Sequence, residues 1–204
     1  MNFMKKKFLF VITALIVVIL YFTIVEVIEH SNKKDKSSKS ITTSKSPDEE
    51  KPWYSATYSG IKISTPERLE IVPYTISESQ KPYISKIDLY QVAYNNITVG
   101  VLYMKFLKSD EGHYDFEVGF KSAIGNIVNS LNGTNLMFNL IDSQDTYNKE
   151  SFGTFNIGDK IFQFCQIGHR NDLGEVATVT IYAPQNDQSK QVISKIKSSI
   201  DYLF

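Results

Sequence analysis

The sequence predicts an α+β fold: an antiparallel sheet of six or seven strands sandwiched by two helices, preceded by one transmembrane helix. Three patterns predict this arrangement. Short runs of β-branched and aromatic residues are separated by Asn, Gly and Pro, which is typical of antiparallel strands. Two other segments carry apolar residues at three- and four-residue spacing, which indicates amphipathic helices. A run near the start, Phe8 to Val25, contains no charged residue.

This uncharged run divides the chain into four regions. Residues 1–7 form a basic N-terminal tail, residues 8–28 a transmembrane signal anchor, residues 29–52 a disordered polar linker, and residues 53–204 the α+β domain. Eighteen helical residues at ~1.5 Å each extend over about 27 Å, close to the roughly 30 Å hydrocarbon core. A cleaved signal peptide is the alternative, but no small-residue cleavage site follows the run.

The charges beside the anchor predict its orientation. Lys5, Lys6 and Lys7 lie directly before the span, whereas the lysines after it are preceded by Glu26 and Glu29. Basic flanks favour the cytoplasmic side. We therefore expect a single-pass protein of the cell membrane whose C-terminal domain is extracytoplasmic. The opposite orientation, with the domain in the cytoplasm, is the alternative.

Composition excludes several functions. From Trp53 onward the chain has 13 basic and 16 acidic residues, so the domain offers no basic surface for nucleic acid. Cys165 is the only cysteine, which excludes an internal disulfide. The sequence contains no nucleophile-elbow, zinc-protease, P-loop or dinucleotide-binding motif.

The first strands of the domain are short. Ile61 and Ile63 alternate with a lysine and are followed by Pro66, which predicts a strand that stops there. A second extended piece covers Leu69 to Val72, before another proline. The segment from Ser77 to Pro82 is expected to be a loop.

A long hairpin follows, with strands at Ile84 to Tyr94 and Ile97 to Leu107. The two asparagines between them tolerate positive φ, so a two-residue type I′ turn fits. The resulting register places apolar residues opposite one another: Val92 with Val99, Tyr90 with Val101, Leu89 with Leu102, and Ile87 with Met104. The second strand is apolar on both faces, which predicts a central position in a layered structure.

The next segment is predicted to be an amphipathic helix that Asp115 caps. Its apolar stripe comprises Phe116, Phe120, Ile124, Ile127, Val128 and Leu131. Asn132-Gly133 should end it, with the glycine in the left-handed conformation. Gly119 and Gly125 either weaken this helix or mark close packing against the sheet, and the sequence leaves both readings open.

Four more strands and a second helix complete the domain. The strands are Leu136 to Ile141, Phe152 to Ile157, Ile161 to Ile167 and Val176 to Tyr182, with turns at Gly158-Asp159 and Asn171 to Gly174. The helix is expected over Asn186 to Phe204, capped by Asn186 or Asp187. Its stripe comprises Val192, Ile193, Ile196, Ile200 and Leu203.

Two segments carry a resemblance to a known family. They are GIKISTPERLEI (Gly60 to Ile71) and KIKSSIDYL (Lys195 to Leu203), with the hairpin, the central helix and the meander between them. In these the domain resembles the Mog1/PsbP-like superfamily, including the DcrB-like small bacterial proteins, over about residues 58–204. The resemblance implies binding or assembly on membrane complexes rather than catalysis. It brings no active-site residue with it.

Few residues are candidates for chemistry. Cys165 and His169 share a strand face, but at ~3.3 Å per residue they lie about 13 Å apart, too far for a nucleophile and its base. The segment beginning at His169 is expected to be a solvated turn. His113, with Glu111 and Asp115, provides three possible metal ligands in a loop.

Aromatic residues at the start of the domain are a further candidate. Trp53, Tyr54 and Tyr58 could form a contact surface or cover the core. No residue is assigned as catalytic, cofactor-binding or metal-binding, and no cofactor is expected. We predict a non-enzymatic, membrane-anchored extracytoplasmic binding or assembly module, attached to the lipid bilayer through residues 8–28 and to a protein partner. The alternative is a small hydrolase or metal-dependent enzyme that uses His113 and nearby acids.

Overall fold

A computed structural model describes residues 53–107, 115–141 and 146–204. The strands are β1 (Tyr54–Tyr58), β2 (Ile61–Thr65), β3 (Glu70–Ile71), β4 (Ile84–Tyr94), β5 (Ile97–Phe106), β6 (Thr134–Ile141), β7 (Asn148–Ile157), β8 (Lys160–Arg170), β9 (Glu175–Pro184) and β10 (Asp201–Tyr202). The helices are α1 (Phe116–Ser130) and α2 (Asp187–Lys197). Neither helix is long and apolar enough to cross a membrane. The predicted anchor and linker lie outside the described residues.

The strands form two sheets. The larger has seven antiparallel strands in the order β3-β4-β5-β9-β8-β7-β6, and the smaller has three in the order β1-β2-β10. The predicted antiparallel sheet with two helices is confirmed. The small sheet was not predicted as a separate layer, because its third strand comes from the far end of the chain.

The central strands of the large sheet are buried on both faces, as the pattern of β5 predicts. The face that carries Val99, Val101 and Tyr103 is covered by the small sheet and α2, and we call it the small-sheet face. The opposite face, with Met104 and Phe106, is covered largely by α1, and we call it the helix face. The expectation that helices alone cover the sheet therefore needs correction. Ile61 and Ile63 of β2 provide part of the cover on the small-sheet face, beside Ile193 and Ile196 of α2.

The β4–β5 hairpin has the predicted register. Val92 pairs with Val99 and Leu89 with Leu102, and the other two predicted pairs are also present. Asn95 and Asn96 have φ values of 46° and 64°. Positive φ at both positions is what a type I′ turn requires.

Helix α1 begins as predicted and ends differently. The Asp115 side chain accepts a 3.0 Å hydrogen bond from the backbone N–H of Val118. At the other end Asn132, not Gly133, adopts the left-handed conformation, with φ of 51°. The N–H of Asn132 donates to the Asn129 carbonyl and that of Gly133 to the Val128 carbonyl, which is the Schellman arrangement.

The predicted C-terminal helix is too long. Helix α2 ends at Lys197, and the next residues turn so that Asp201–Tyr202 pairs with β2. The Ser199 hydroxyl donates to the Ile196 carbonyl and accepts from the N–H of Ser64, which ends the helix against the small sheet. Leu203 consequently lies outside the helix, 58% exposed, rather than on its apolar stripe.

Candidate functional site

The structure separates Cys165 from His169. Strand β8 continues through Arg170, so His169 is a strand residue and the predicted turn begins only at Asn171. Cys165 is buried, and burial together with the Glu150 charge raises the pKa of its thiol to about 11. His169 stacks on Tyr202 with ring centroids 4.9 Å apart. A buried neutral thiol and a stacked imidazole four residues along one strand do not make a nucleophile–base pair.

Of the three predicted metal ligands, only Asp115 lies within the described residues. His113 and Glu111 lie outside the described residues, and the Asp115 carboxylate caps α1. In the ranges that the structure describes, no three His, Cys, Asp or Glu side chains are grouped to hold a metal ion.

The N-terminal aromatic residues do not form one contact surface. Trp53 packs against the edge of the core, with the Lys195 ammonium 4.0 Å from its ring centroid. Tyr58 is buried, and its hydroxyl accepts a 3.1 Å hydrogen bond from the N–H of Leu69. Only Tyr54 is largely exposed. Covering the core is therefore the role of Trp53 and Tyr58.

A row of five residues, four of them polar, crosses the small-sheet face. The strand registers place five residues side by side on five neighbouring strands: Asp88, Tyr103, Ala177, His169 and Asn148. We call them the transverse row. Nδ1 of His169 lies 2.7 Å from Oδ1 of Asn148. The predicted hairpin register already places Asp88 opposite Tyr103, whereas the order of the other strands is needed to place Ala177, His169 and Asn148 beside them.

Side chains from neighbouring parts of the domain contact most of the transverse row. The Asp88 carboxylate accepts a hydrogen bond from the Ser59 hydroxyl and forms a 2.7 Å ion pair with Lys86. The Phe204 ring lies over the middle of the row, with its centroid 5.7 Å from that of Tyr103 and 5.4 Å from that of His169. These contacts make the row part of the packing between the sheet and the C-terminal segment.

The two edge strands of the large sheet differ in length and in charge. Strand β3, at one edge, has only two residues and is soon followed by Pro73. Short edge strands and prolines are devices that prevent pairing with other chains. Strand β6, which ends the described sheet on the other side, has eight residues and no charge. Strand β6 is therefore neither short nor interrupted by a proline.

Strand β6 also exposes apolar side chains on the small-sheet face. Met137 is 66% exposed, Ile141 42%, and Phe152 of the adjoining strand 48%. Phe152 pairs with Asn139, which lies between the other two on β6. We call these four residues the edge patch. The sequence predicted the strand but not its exposure, because alternation alone does not show which strand lies at an edge.

The other face of β6 holds the strand in place. The Phe138 ring stacks on Phe164 with centroids 6.3 Å apart. Gly153 lies opposite Phe138, and a β-carbon there would be 1.9 Å from the carbonyl oxygen of Met137. The glycine is therefore required for β6 to approach β7 so closely. The result is a firmly packed strand whose outer edge pairs with no other strand among the described residues.

No protein family and no curated protein matches this sequence. Solved structures with a similar fold include the Ran-binding protein Mog1p of Saccharomyces cerevisiae, at 8% identity and a TM-score of 0.43, covering 74% of this chain and 96% of that one. A single-residue mutant of Mog1 is similar at 9% identity and a TM-score of 0.41, covering 74% of this chain and 96% of that one. LpqN, involved in cell envelope biogenesis of Mycobacterium tuberculosis, is similar at 15% identity and a TM-score of 0.38, covering 74% and 87%. These similarities concern the fold alone.

Proposed function

We propose that this chain is a non-enzymatic binding or assembly module, anchored in the cell membrane through residues 8–28, with an extracytoplasmic domain that binds protein through β6. The observation that carries the proposal is the uncharged eight-residue edge strand beside the exposed edge patch. An edge strand offers unpaired backbone N–H and C=O groups to another strand, and neighbouring apolar side chains add selectivity.

The chemistry of the edge indicates what it would bind. Charge cannot guide recognition, since β6 has none. The strand that adds to it should be extended and uncharged, with apolar side chains at alternate positions to meet Met137 and Ile141. Strand addition leaves the rest of the domain unchanged, so the module needs no moving part.

The N-terminal sequence supports the membrane location. The run from Phe8 to Val25 has the length and composition of a spanning helix. The linker of residues 29–52 would hold the domain near the bilayer, since 24 flexible residues have an end-to-end distance of roughly 27 Å. A short flexible tether confines the binding edge to the membrane surface.

Protease treatment of intact cells tests the location. We expect the chain in the membrane fraction and the domain digested by added protease. A Val17→Lys/Val18→Lys variant, which places two charges in the apolar run, should move to the soluble fraction. A domain that stays protected until the cells are lysed would show the opposite orientation, and a wild-type chain in the soluble fraction would disprove the anchor.

A further inference from the structure

The edge patch suggests which strand adds to β6. We propose that β6 pairs with β6 of a second copy of this chain, antiparallel, about a two-fold axis that passes between the two Asn139 residues. This inference rests on the binding role proposed for β6 and names its partner. It would join two seven-stranded sheets into one continuous sheet.

The sequence of β6 is complementary to itself in this register. Met137 lies opposite the partner's Ile141, and Phe138 lies opposite the partner's Leu140. Asn139 lies opposite the partner's Asn139, where the two side-chain amides can hydrogen bond. Residues two apart point to the same face, so each contact joins side chains on one side of the sheet. A two-fold interface requires this kind of self-complementary surface.

The absence of charge in β6 favours a copy of itself over other occupants. In this register a charge at position 139 would face its own copy, and a charge at position 138 or 140 would lie diagonal to its own copy, and both arrangements destabilise the pair. From Thr134 to Ile141 there is no charge. The chain's own linker, residues 29–52, is rich in lysine and acidic residues and does not match an uncharged apolar edge.

The paired arrangement also brings the exposed apolar side chains of the two copies onto one continuous sheet face. Phe152 pairs with Asn139, so one Phe152 would lie on each side of the two-fold axis, diagonal to Met137 and Ile141 of its own copy. The two edge patches would then form one surface, with the two Asn139 side chains at its centre and apolar side chains around them. Copies tethered to one membrane meet at high effective concentration, so a modest interface is enough to pair them.

Disulfide trapping in membranes tests the register. Directly opposed residues of antiparallel strands have β-carbons about 4.5–5.5 Å apart, near the spacing of a disulfide. Full-length Asn139→Cys, oxidised mildly in isolated membranes, should give a covalent dimer on a non-reducing gel. Asp159→Cys, exposed in the β7–β8 turn, is the matched control and should remain monomeric. Equal dimer yields from both variants, or none from Asn139→Cys, would overturn the proposal.

Charge complementation shows whether the partner is a second copy. Asn139→Lys and Asn139→Asp, each expressed alone with two different epitope tags, should reduce co-purification of the tags at least tenfold relative to wild type. Expressed together, the Lys and Asp variants should restore it, because opposite charges then face each other. If the mixture of Lys and Asp variants does not restore co-purification of the tags, self-pairing is refuted. Wild-type copies that do not co-purify would refute it as well. A different protein found bound at β6 would also refute self-pairing, but it would leave the proposed binding role and membrane location intact.

Discussion

Tyr103 and Glu175 join neighbouring strands through a 2.7 Å hydrogen bond from the phenol to Oε1 of the carboxylate. The ammonium of Lys105 lies 3.2 Å from the same oxygen, and the Asn171 amide donates to the other at 2.7 Å. Burial alone would raise the pKa of Glu175, but these hydrogen bonds outweigh it and the pKa is lowered. The carboxylate thus ties β5 and β9 to the turn that precedes β9.

We expect Tyr103→Phe to lower the free energy of unfolding by about 1.5–3 kcal/mol at neutral pH, because a hydrogen bond to a charged group is lost. The lowered pKa of Glu175 means that its stabilisation is present above the ordinary carboxyl pKa and disappears as the pH falls through the folded-state value. The difference between wild type and variant should therefore narrow below about pH 4.5. Urea unfolding at several pH values measures the free energy of unfolding of both proteins, with Tyr54→Phe, at an exposed position of β1, as the control. A difference between wild type and Tyr103→Phe that grows in acid would contradict this account.

Asp115 should act as a helix cap. Asp115→Ala removes the acceptor for the N–H of Val118 and should cost about 1 kcal/mol of stability. Asp115→Asn retains a good cap and should cost little. Urea unfolding of both variants checks this.

The Asp115→Asn variant also tests the metal alternative. If it loses a bound metal while its stability is unchanged, a metal site that includes His113 is favoured.

Two glycines, one in α1 and one in β8, should respond in opposite ways to alanine. A β-carbon at Gly125 of α1 would have no atom within 4 Å, so Gly125→Ala should stabilise by about 0.5–1 kcal/mol through helix propensity. This excludes close packing as the reason for that glycine. A β-carbon at Gly168 of β8 would lie 2.9 Å from the rings of Phe116 and Phe120. Gly168→Ala should therefore cost about 1–3 kcal/mol. Thermal and urea unfolding of the two variants measure these changes in the free energy of unfolding. If both substitutions stabilise the protein, or both destabilise it, the packing described for these glycines is wrong.

Cys165 should be unreactive in the folded protein. With a pKa of about 11, roughly 0.1% of the thiol is ionised near pH 8, and the side chain is buried. A thiol reagent should modify it only slowly under native conditions and completely in concentrated urea. The exposed Asp159→Cys variant in a Cys165→Ala background provides the fast-reacting comparison. Rapid native modification of Cys165 would show that the small-sheet face opens.

Much of the fold was predictable because it depends on neighbours in sequence. The alternation of apolar residues and the Asn95-Asn96 turn together predict the hairpin register. Asp115 and the apolar stripe after it predict the start and the buried face of α1. The missed features depend on distant residues: β10 forms because β2 offers it a free edge, and α2 is shorter than predicted for that reason.

The candidate site divides in the same way. By itself the sequence determined that β6 is an uncharged, apolar strand, since those properties belong to its own residues. Only the tertiary structure decided that this strand ends the described sheet, with Phe152 beside it, because a strand's position depends on which other strands hydrogen bond to it. The transverse row was likewise completed by strand order, which places Ala177 between Tyr103 and His169 across long intervals of chain.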